Sequence, residues 1–351
     1  MSKPKDPNAL PEAIESVEQL EELLSRPPRE VVELFGRLKG PLAIVGGGGK
    51  IGPSLVKMAC RARDAAKADV EIIVVDLFPD PAVKDDLAAA GATAVACDLL
   101  DPEAVKALPG AADVIYMVGM KFGTSGNPSL TWAINAIPPA HVARRYADAR
   151  IVAFSTGCVY ALTPADSNGS VETDPLEPPG EYANACVARE RILEFYALRN
   201  QTPLMNVRLN YAVEMRYGVL VDVAQDIAAG RPVDVTMGFF NVLWQGDVNA
   251  AFLRLLEHAA CPPAAINLTG PEKLSIREVA RQMGEVMGRK ATFTGAEADT
   301  ALLSDAGKAL ALLGRPSVPA DTVIPWVARW IASGGETLGK PTHFQERDGK
   351  Y

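Results

Sequence analysis

Short apolar segments alternate with helical segments from residue 41 to residue 211, and this alternation is the feature that most constrains the fold. The first apolar segment, PLAIVG at 41–46, ends in glycines and is followed by a helical segment. VEIIVVD at 70–76, ADVIYMVG at 112–119 and RIVAFST at 150–156 repeat the pattern. Continuous apolar strands are typical of parallel sheets that helices cover on both faces. The sequence therefore predicts an α/β fold with a doubly wound parallel sheet and right-handed crossovers.

Changes in this pattern divide the chain into regions. They are an N-terminal helical extension at 1–40, the core at 41–211, a second domain partly interleaved with the core at 212–335, and a polar tail at 336–351. The extension either packs on the main domain or makes a dimer contact. Within the core, the helical segment at 127–146 is expected to be interrupted by Pro138 and Pro139, because proline removes a helical donor.

Charge and composition exclude several classes of partner. The chain has 351 residues, 48% of them hydrophobic and 22% charged, which is ordinary for a globular protein. Its net charge of -8, without a long basic run, argues against nucleic acid or an anionic membrane as the main partner. No segment approaches the ~18 apolar residues of a membrane span. The N-terminus also lacks the apolar core of an export signal, so we expect a cytoplasmic protein.

The cysteines and histidines predict neither disulfides nor a metal site. Five cysteines make an odd count without a paired framework, which favours reduced thiols in a cytoplasm. His141, His258 and His343 are far apart in sequence, and no Cys/His cluster has the spacing of metal ligands.

A glycine-rich segment after the first strand predicts a dinucleotide site. Gly46, Gly49 and Gly52 have the spacing G-x-x-G-x-x-G and open a helix, where backbone N–H groups can bind a pyrophosphate. Asp76 ends the second strand, 24 residues after Gly52, where a carboxylate can bind ribose hydroxyls. This carboxylate would repel a 2′-phosphate and residues 77–79 include no Arg or Lys, so NAD is favoured over NADP. The alternative is a purely structural turn, with Asp76 capping the next turn.

Several motifs in order resemble the extended short-chain dehydrogenase/reductase family, the NAD-dependent epimerase/dehydratase group, over about residues 41–335. The matching motifs are GGGGKIG at 46–52, CDLLD at 97–101, DVIYMVG at 113–119, FSTGCVY at 154–160, RLNYAVEMRYG at 208–218 and VLWQGDVNAA at 242–251. The resemblance implies a Rossmann-type core, a smaller C-terminal substrate domain, and hydride transfer to or from tightly held NAD. Substrates in the family are often nucleotide sugars, sugars or related polyols.

The resemblance also implies a set of cofactor-binding residues. Asp98 would lie near the adenine, and the end of the fourth strand would run beside the nicotinamide half. The full set is Gly46, Gly49, Lys50, Ile51, Gly52, Asp76, Asp98, Leu99, Val118, Gly119, Asn135 and Tyr182.

The family's active site pairs a tyrosine with a lysine one helical turn later. The tyrosine exchanges a proton with the substrate hydroxyl, and the lysine lowers the tyrosine pKa. Here Tyr182 matches the tyrosine, 26 residues after Thr156, which matches the catalytic Ser or Thr. Cys186 occupies the lysine position. A neutral thiol does not lower the pKa of a phenol from its usual value of ~10.

Three accounts of the missing lysine remain open at this point. In the first, another cation replaces it, and Lys121 after the fourth strand is preferred over Arg189, which is two helical turns beyond the tyrosine. In the second, the positive charge of oxidised nicotinamide together with Thr156 supports slow turnover. In the third, the protein binds NAD without redox chemistry. Ser155 is an alternative to Thr156, and Cys186 is interpreted as a small buried thiol rather than a nucleophile.

Substrate contacts are expected from the loop after the fourth strand and from the sixth strand onward. The candidates are Lys121, Thr124, Thr156, Asn210 and Arg216. These groups suit a ligand rich in hydroxyls or bearing a carboxylate, and the Arg216 guanidinium suits bidentate binding of a carboxylate or phosphate. TMGFFNVLWQGD at 236–247 has aromatic residues but no basic residue for a diphosphate. A small sugar, sugar acid or polyol is therefore favoured over a nucleotide sugar.

The sequence thus predicts an NAD-dependent oxidoreductase or epimerase that acts on a sugar-like small molecule and forms a homodimer. The alternative is a catalytically weak NAD-binding sensor or scaffold protein of the same fold. The missing lysine favours the alternative, whereas Thr156, Tyr182 and Asn210 favour the enzyme.

Overall fold

The computed structural model describes residues 10–121 and 126–349. At its centre lies a seven-stranded sheet in which neighbouring strands are parallel. Its strands are β1 (Leu42–Val45), β2 (Ile72–Asp76), β3 (Thr93–Ala96), β4 (Asp113–Tyr116), β5 (Arg150–Thr156), β6 (Leu204–Leu209) and β7 (Ala264–Leu268). Their order across the sheet is β7-β6-β5-β4-β1-β2-β3. The predicted doubly wound, Rossmann-type fold is therefore confirmed.

Helices precede, connect and follow these strands. They are α1 (Val17–Leu24), α2 (Arg29–Phe35), α3 (Gly52–Ala66), α4 (Pro81–Ala89), α5 (Pro102–Lys106), α6 (Pro128–Arg145), α7 (Glu181–Asn200), α8 (Val219–Ala228), α9 (Gln245–Arg254), α10 (Ile276–Val286), α11 (Gly307–Leu313) and α12 (Ala320–Ala332). Short 3₁₀ helices occur at Gly157–Val159 and Leu255–His258. Two-residue strands occur at Thr163–Pro164, Ala212–Val213, Val233–Asp234, Phe239–Phe240, Leu243–Trp244, Leu274–Ser275, Phe293–Thr294 and Thr300–Ala301.

Alternate residues of the central strands face opposite layers of helices. Ile44 of β1 packs in one buried cluster with Leu55 of α3. Its neighbour Val45 packs in another cluster with Val142 of α6. Both faces of the sheet are therefore covered, which explains why its strands are apolar at consecutive positions rather than at every second one.

The helix expected to break at its two prolines is continuous. α6 runs over 18 residues, and Asn127 caps it by accepting the N–H of Leu130 at 3.2 Å. Pro138 and Pro139 are buried inside this helix, which packs along α7. Each proline removes only one helical donor, and the packing keeps the remaining turns in place.

The N-terminal extension packs on the main domain. The Asn249 amide of α9 donates to the Leu24 carbonyl at 3.0 Å. The Glu21 carboxylate pairs with Lys57 of α3 at 3.4 Å and with Arg216 at 2.8 Å. These contacts agree with the first of the two expected roles, packing on the core.

Residues 212–335 are interleaved with the core while also building a cluster of their own. They supply β7, so the central sheet crosses the boundary expected at residue 211. Their own cluster joins α8, α10 and α12 through residues such as Val223, Met283 and Trp326.

The polar tail folds back onto this second cluster. The Leu338 N–H donates to the Arg216 carbonyl at 2.9 Å. The Thr342 N–H and hydroxyl both donate to the Asp222 carboxylate of α8, at 2.8 and 2.5 Å. Phe344 is buried in the cluster. These contacts hold the tail across the face of the molecule that carries the cleft described below.

A buried ion pair ties α7 to the sheet. The Arg208 guanidinium of β6 lies 2.9 Å from the Glu190 carboxylate of α7, and these side chains are only 5% and 1% exposed. Arg208 also donates to the Tyr160 hydroxyl at 2.7 Å, and the Ser155 hydroxyl of β5 donates to Glu190. The group thus joins two neighbouring strands and a helix below the cleft.

Arg208→Met should destabilise the fold strongly, because it leaves the Glu190 charge buried without its cation. The expected loss in the free energy of unfolding is about 3–5 kcal/mol, measured by urea denaturation. The matched control is Arg231→Met, which breaks the more exposed pair with Asp226 and should cost less than about 1 kcal/mol. Equal losses for the two variants would contradict a structural role for the buried pair.

Candidate cofactor and active site

Two connected cavities form a cleft beyond the carboxyl ends of the central strands. The larger is about 430 Å³ and the smaller about 180 Å³. Both are lined by Gly46, Gly49, Met117 and Gly119, which follow or flank the ends of β1 and β4. Ligands of open α/β sheets bind in this position.

Two glycines of the loop after β1 allow close packing of the backbone, and a third leaves space for a ligand. Gly46 has a φ of +90°, and a Cβ there would lie 2.8 Å from the Val118 nitrogen. A Cβ on Gly52 would lie 2.2 Å from the Gly47 carbonyl oxygen, so this glycine lets α3 pack against the loop. A Cβ on Gly49 would meet only the Gly46 oxygen, at 3.7 Å. Space at Gly49 is therefore left open on the cavity side, as the approach of a pyrophosphate requires.

The smaller cavity is lined by residues that the sequence predicted at the adenosine half of a dinucleotide. The Asp76 carboxylate accepts the N–H of Gly48 at 3.0 Å and of Phe78 at 3.1 Å, so it is fixed against the glycine loop. Asp98 accepts the N–H of Leu100 at 2.9 Å. Predicted cofactor residues that line this cavity are Gly46, Gly49, Asp76, Asp98, Leu99, Val118 and Gly119. Asp76 thus both caps a turn and faces the cavity, which combines the two interpretations of this residue.

The larger cavity brings together most of the remaining predicted residues. Those that line it are Gly46, Gly49, Lys50, Ile51, Gly119, Lys121, Thr156, Tyr182 and Asn210. Gly52, Asn135 and Arg216 do not line either cavity. Thr124 lies outside the described residues.

The structure gives Asn135 and Arg216 other contacts. The buried Asn135 amide donates to the Met120 carbonyl at 3.2 Å, and its oxygen accepts from Arg189 at 3.1 Å. Arg216 pairs with Glu21 at 2.8 Å and with Glu214 at 3.2 Å. The polar atoms of both side chains are therefore engaged within the protein, whereas the sequence suggested contacts to a cofactor and a substrate.

Tyr182 opens α7 and is buried at the larger cavity. Burial raises the pKa of Tyr182 well above its usual value, and the neighbouring Cys186 and Cys158 side chains raise it further. The positive charge of Arg189 lowers the pKa of this phenol. Seven residues make almost two full helical turns, so Tyr182 and Arg189 share one face of α7. We expected Arg189 to be less well placed than Lys121, but it lines the same cavity as Tyr182.

The two hydroxyls at the end of β5 differ in their contacts. The Ser155 hydroxyl donates to the buried Glu190 carboxylate. The Thr156 oxygen accepts the N–H of Cys158 at 3.1 Å, an arrangement in which its proton can still be donated to a ligand. This favours Thr156 over Ser155 as the group that binds a substrate oxygen.

Sequence reasoning missed several residues that line the larger cavity. Tyr211 and Tyr217 follow β6, and Leu338, Lys340 and Thr342 come from the tail. Both tyrosines belong to the motif RLNYAVEMRYG at 208–218, which could have indicated that they lie at the pocket. No periodicity in the tail indicated its position.

Residues 10–121 and 126–349 lack two other features. Those residues contain no group of three or more His, Cys, Asp or Glu side chains that could hold a metal ion. Over the same ranges, no helix combines the length and apolar character needed to span a bilayer.

Gly49→Val should abolish NAD binding while changing stability little, because the added Cβ enters only the space left for the pyrophosphate. Calorimetric titration with NAD, together with urea denaturation, tests both parts. The control Gly52→Val should destabilise the protein as well, since its Cβ would overlap the Gly47 oxygen. Native NAD affinity in Gly49→Val would contradict the assignment. NADP should bind the native protein more weakly than NAD because of Asp76.

Comparison with known proteins agrees with this geometry. Residues 42–268 match the NAD dependent epimerase/dehydratase family. No curated protein sequence matches the chain. The structure is similar to a UDP-glucose 4-epimerase from Thermus thermophilus in complex with NAD, with 22% sequence identity, a TM-score of 0.66, and coverage of 82% of this chain and 98% of that chain.

Two further solved structures show the same fold. A UDP-glucuronic acid 4-epimerase from Bacillus cereus has 15% identity and a TM-score of 0.70, with coverage of 84% of this chain and 99% of that chain. A dTDP-glucose 4,6-dehydratase from Bacillus anthracis, in complex with NAD, has 14% identity and a TM-score of 0.68, with coverage of 84% and 97%. The family match covers more than half of the chain, so this protein belongs to the NAD-dependent epimerase/dehydratase family and is an NAD-dependent enzyme.

Proposed function

We propose that the protein is an oxidoreductase or epimerase that uses NAD on a sugar, sugar acid or polyol, with Tyr182 as the acid/base. The observation that carries this proposal is the larger cavity, where Thr156, Tyr182 and Asn210 lie together with the glycine loop. The names of the structural neighbours, which are epimerases and dehydratases of nucleotide sugars, support the sugar-like class.

The residues of the cleft fit NAD, and different residues bind the cofactor and transfer the proton. NAD, when bound, supplies the hydride chemistry. The glycine loop and the N-terminus of α3 bind the pyrophosphate, and Asp76 binds the adenosine ribose. Thr156 donates a hydrogen bond to the reacting oxygen of the substrate, and Tyr182 exchanges a proton with the same oxygen.

The raised pKa of Tyr182 favours donation of a proton to the substrate over removal of a proton from it. With a pKa above 10, fewer than about one phenol in a thousand is ionised at pH 7. Tyr182 is therefore a ready proton donor at neutral pH. As a base it acts only through the small ionised fraction, which grows tenfold with each pH unit below the pKa.

Tyr182→Phe should abolish turnover and leave NAD affinity nearly unchanged, because only the phenolic hydroxyl is removed. We expect oxidation of a substrate hydroxyl by the native enzyme to speed up steadily from pH 7 to pH 9. The measurement is formation of reduced nicotinamide with a panel of sugars, sugar acids and polyols. Full activity in Tyr182→Phe with any of these compounds would show that Tyr182 is not the acid/base.

Arg189→Met provides the control for the electrostatic part of the mechanism. Arg189 acts through Tyr182, so its loss should move the pH profile upward by about 1–3 units rather than only reduce the rate. Arg189→Lys, which keeps the charge, should restore part of the profile. An unchanged pH profile in Arg189→Met would remove this residue from the mechanism.

The alternative function is a catalytically weak NAD-binding sensor or scaffold. The specific observation in its favour is the hydrogen bond of Tyr182 with Cys186 at the position of the family's lysine. Native NAD binding without turnover of any compound in the panel, from pH 6 to pH 10, would favour this alternative.

We also propose that the chain forms a homodimer through α6 and α7. Large apolar side chains are exposed on these packed helices: Leu130, Trp132, Ile137, Phe195 and Leu198, with exposures of 37–57%. Several exposed apolar side chains on a pair of packed helices are typical of a protein interface.

Phe195→Glu should convert the dimer to a monomer, because a charge would be buried in the apolar contact. Sedimentation velocity at micromolar concentration measures this change. Val286→Glu, on the exposed face of α10, is the control and should remain a dimer. A monomeric native protein would contradict the proposal.

A further inference from the structure

The side chain of Lys50 lies in a part of the cleft that could not be predicted from the position of this residue in the glycine loop. The resemblance implied only a role in cofactor binding for this residue. In the structure its ammonium lies 4.0 Å from the centre of the Tyr217 ring. Lys50 and Tyr217 both line the larger cavity, and neither lines the smaller, adenosine-side cavity. The Lys50 side chain is therefore directed to the half of the cleft that contains Tyr182.

The larger cavity is positively charged. Its charged lining residues, among those that the structure describes, are Lys50, Lys121, Arg189 and Lys340, and no Asp or Glu lines it in the same part of the chain. Burial lowers the pKa of the Lys50 ammonium to about 8; Glu214 opposes this shift, and the positive charges of Arg216 and Lys121 add to it. Lys50 and Lys121 thus line one cavity.

The carboxylates near Lys50 and Arg216 are engaged in ion pairs. Glu214 favours the charged form of Lys50, but it is itself paired with Arg216 at 3.2 Å. Arg216 is also paired with Glu21 at 2.8 Å. A bound anion between the lysines would offset their mutual repulsion and accept charge-assisted hydrogen bonds from them.

We propose that Lys50 and Lys121 bind an anionic group of the substrate, a carboxylate or a phosphate, inside the larger cavity. This inference rests on the proposed function and narrows its substrate class from sugars in general to sugar acids or sugar phosphates. Arg216, the residue expected from sequence to bind such a group, is instead held by its two carboxylates. The anion would lie in the same cavity as Tyr182, so it belongs to the reacting part of a small molecule.

Small anions test this site without knowledge of the substrate. Protein saturated with NAD is titrated calorimetrically with acetate, inorganic phosphate and acetamide, the uncharged analogue of acetate. We expect acetate or phosphate to bind at millimolar concentration and acetamide not to bind. The anion that binds more tightly shows whether the anionic group of the substrate is a carboxylate or a phosphate.

Matched variants locate the binding. Lys50→Met and Lys121→Met keep most of the side-chain volume and should each weaken the anion about 10- to 100-fold while leaving NAD affinity unchanged. Lys106→Met is the control, because Lys106 is exposed and pairs only weakly with Glu103, at 3.6 Å. Lys106→Met should change neither the anion affinity nor the NAD affinity.

Three results would overturn the proposal. The first is the absence of anion binding to the NAD-saturated protein up to tens of millimolar. The second is binding that NAD abolishes, or a loss of NAD affinity in Lys50→Met, since the lysine would then serve the cofactor pyrophosphate. The third is unchanged anion affinity in both lysine variants. Turnover does not enter this test, so failure of the proposed redox function, seen with Tyr182→Phe, is distinguished from failure here.

Discussion

The position of the candidate active site depends on the buried ion pair between Arg208 and Glu190. Two charges removed from water must stay paired, so α7 cannot shift along the sheet without breaking this contact. Ser155 joins β5 to the same pair. Because Tyr182 lies on α7 and Thr156 ends β5, the buried group fixes the tyrosine relative to the threonine. The site is thus built on a helix and a strand rather than on loops.

The cysteine at position 186 changes the electrostatics of this arrangement rather than its shape. A thiol fits the space behind Tyr182 but adds no positive charge, so burial dominates the pKa of the phenol. Arg189 lies one turn beyond Cys186 and shares the face of Tyr182, yet its guanidinium is anchored to the Val118 carbonyl and Asn135. Its charge therefore acts through space on a phenol that stays protonated, which favours proton donation at neutral pH.

The sequence predicted what depends on local pattern. Apolar runs ended by glycine located the strands, and the expected strand at 150–156 matches Arg150–Thr156. The glycine spacing located the cleft, because a phosphate loop is built from adjacent backbone groups. Other features depend on contacts between residues that are far apart in sequence. For example, packing on α7 keeps α6 continuous through Pro138 and Pro139. Likewise Thr342 reaches Asp222 across 120 positions, a contact that no pattern in the tail indicates.

Segments outside the family match also contribute to the surroundings of the larger cavity. Glu21, in the N-terminal extension, holds Arg216, and without this contact the guanidinium would have a single carboxylate partner in Glu214. The tail adds Lys340 to the lining. The family region supplies the cofactor loop, the proposed proton-transfer groups and the lining residues Lys50, Lys121 and Arg189, whereas the flanking segments add Lys340 and hold Arg216 through Glu21. The proposed anion site therefore lies in a cavity to which residues outside the family match also contribute, in addition to the features of the shared fold.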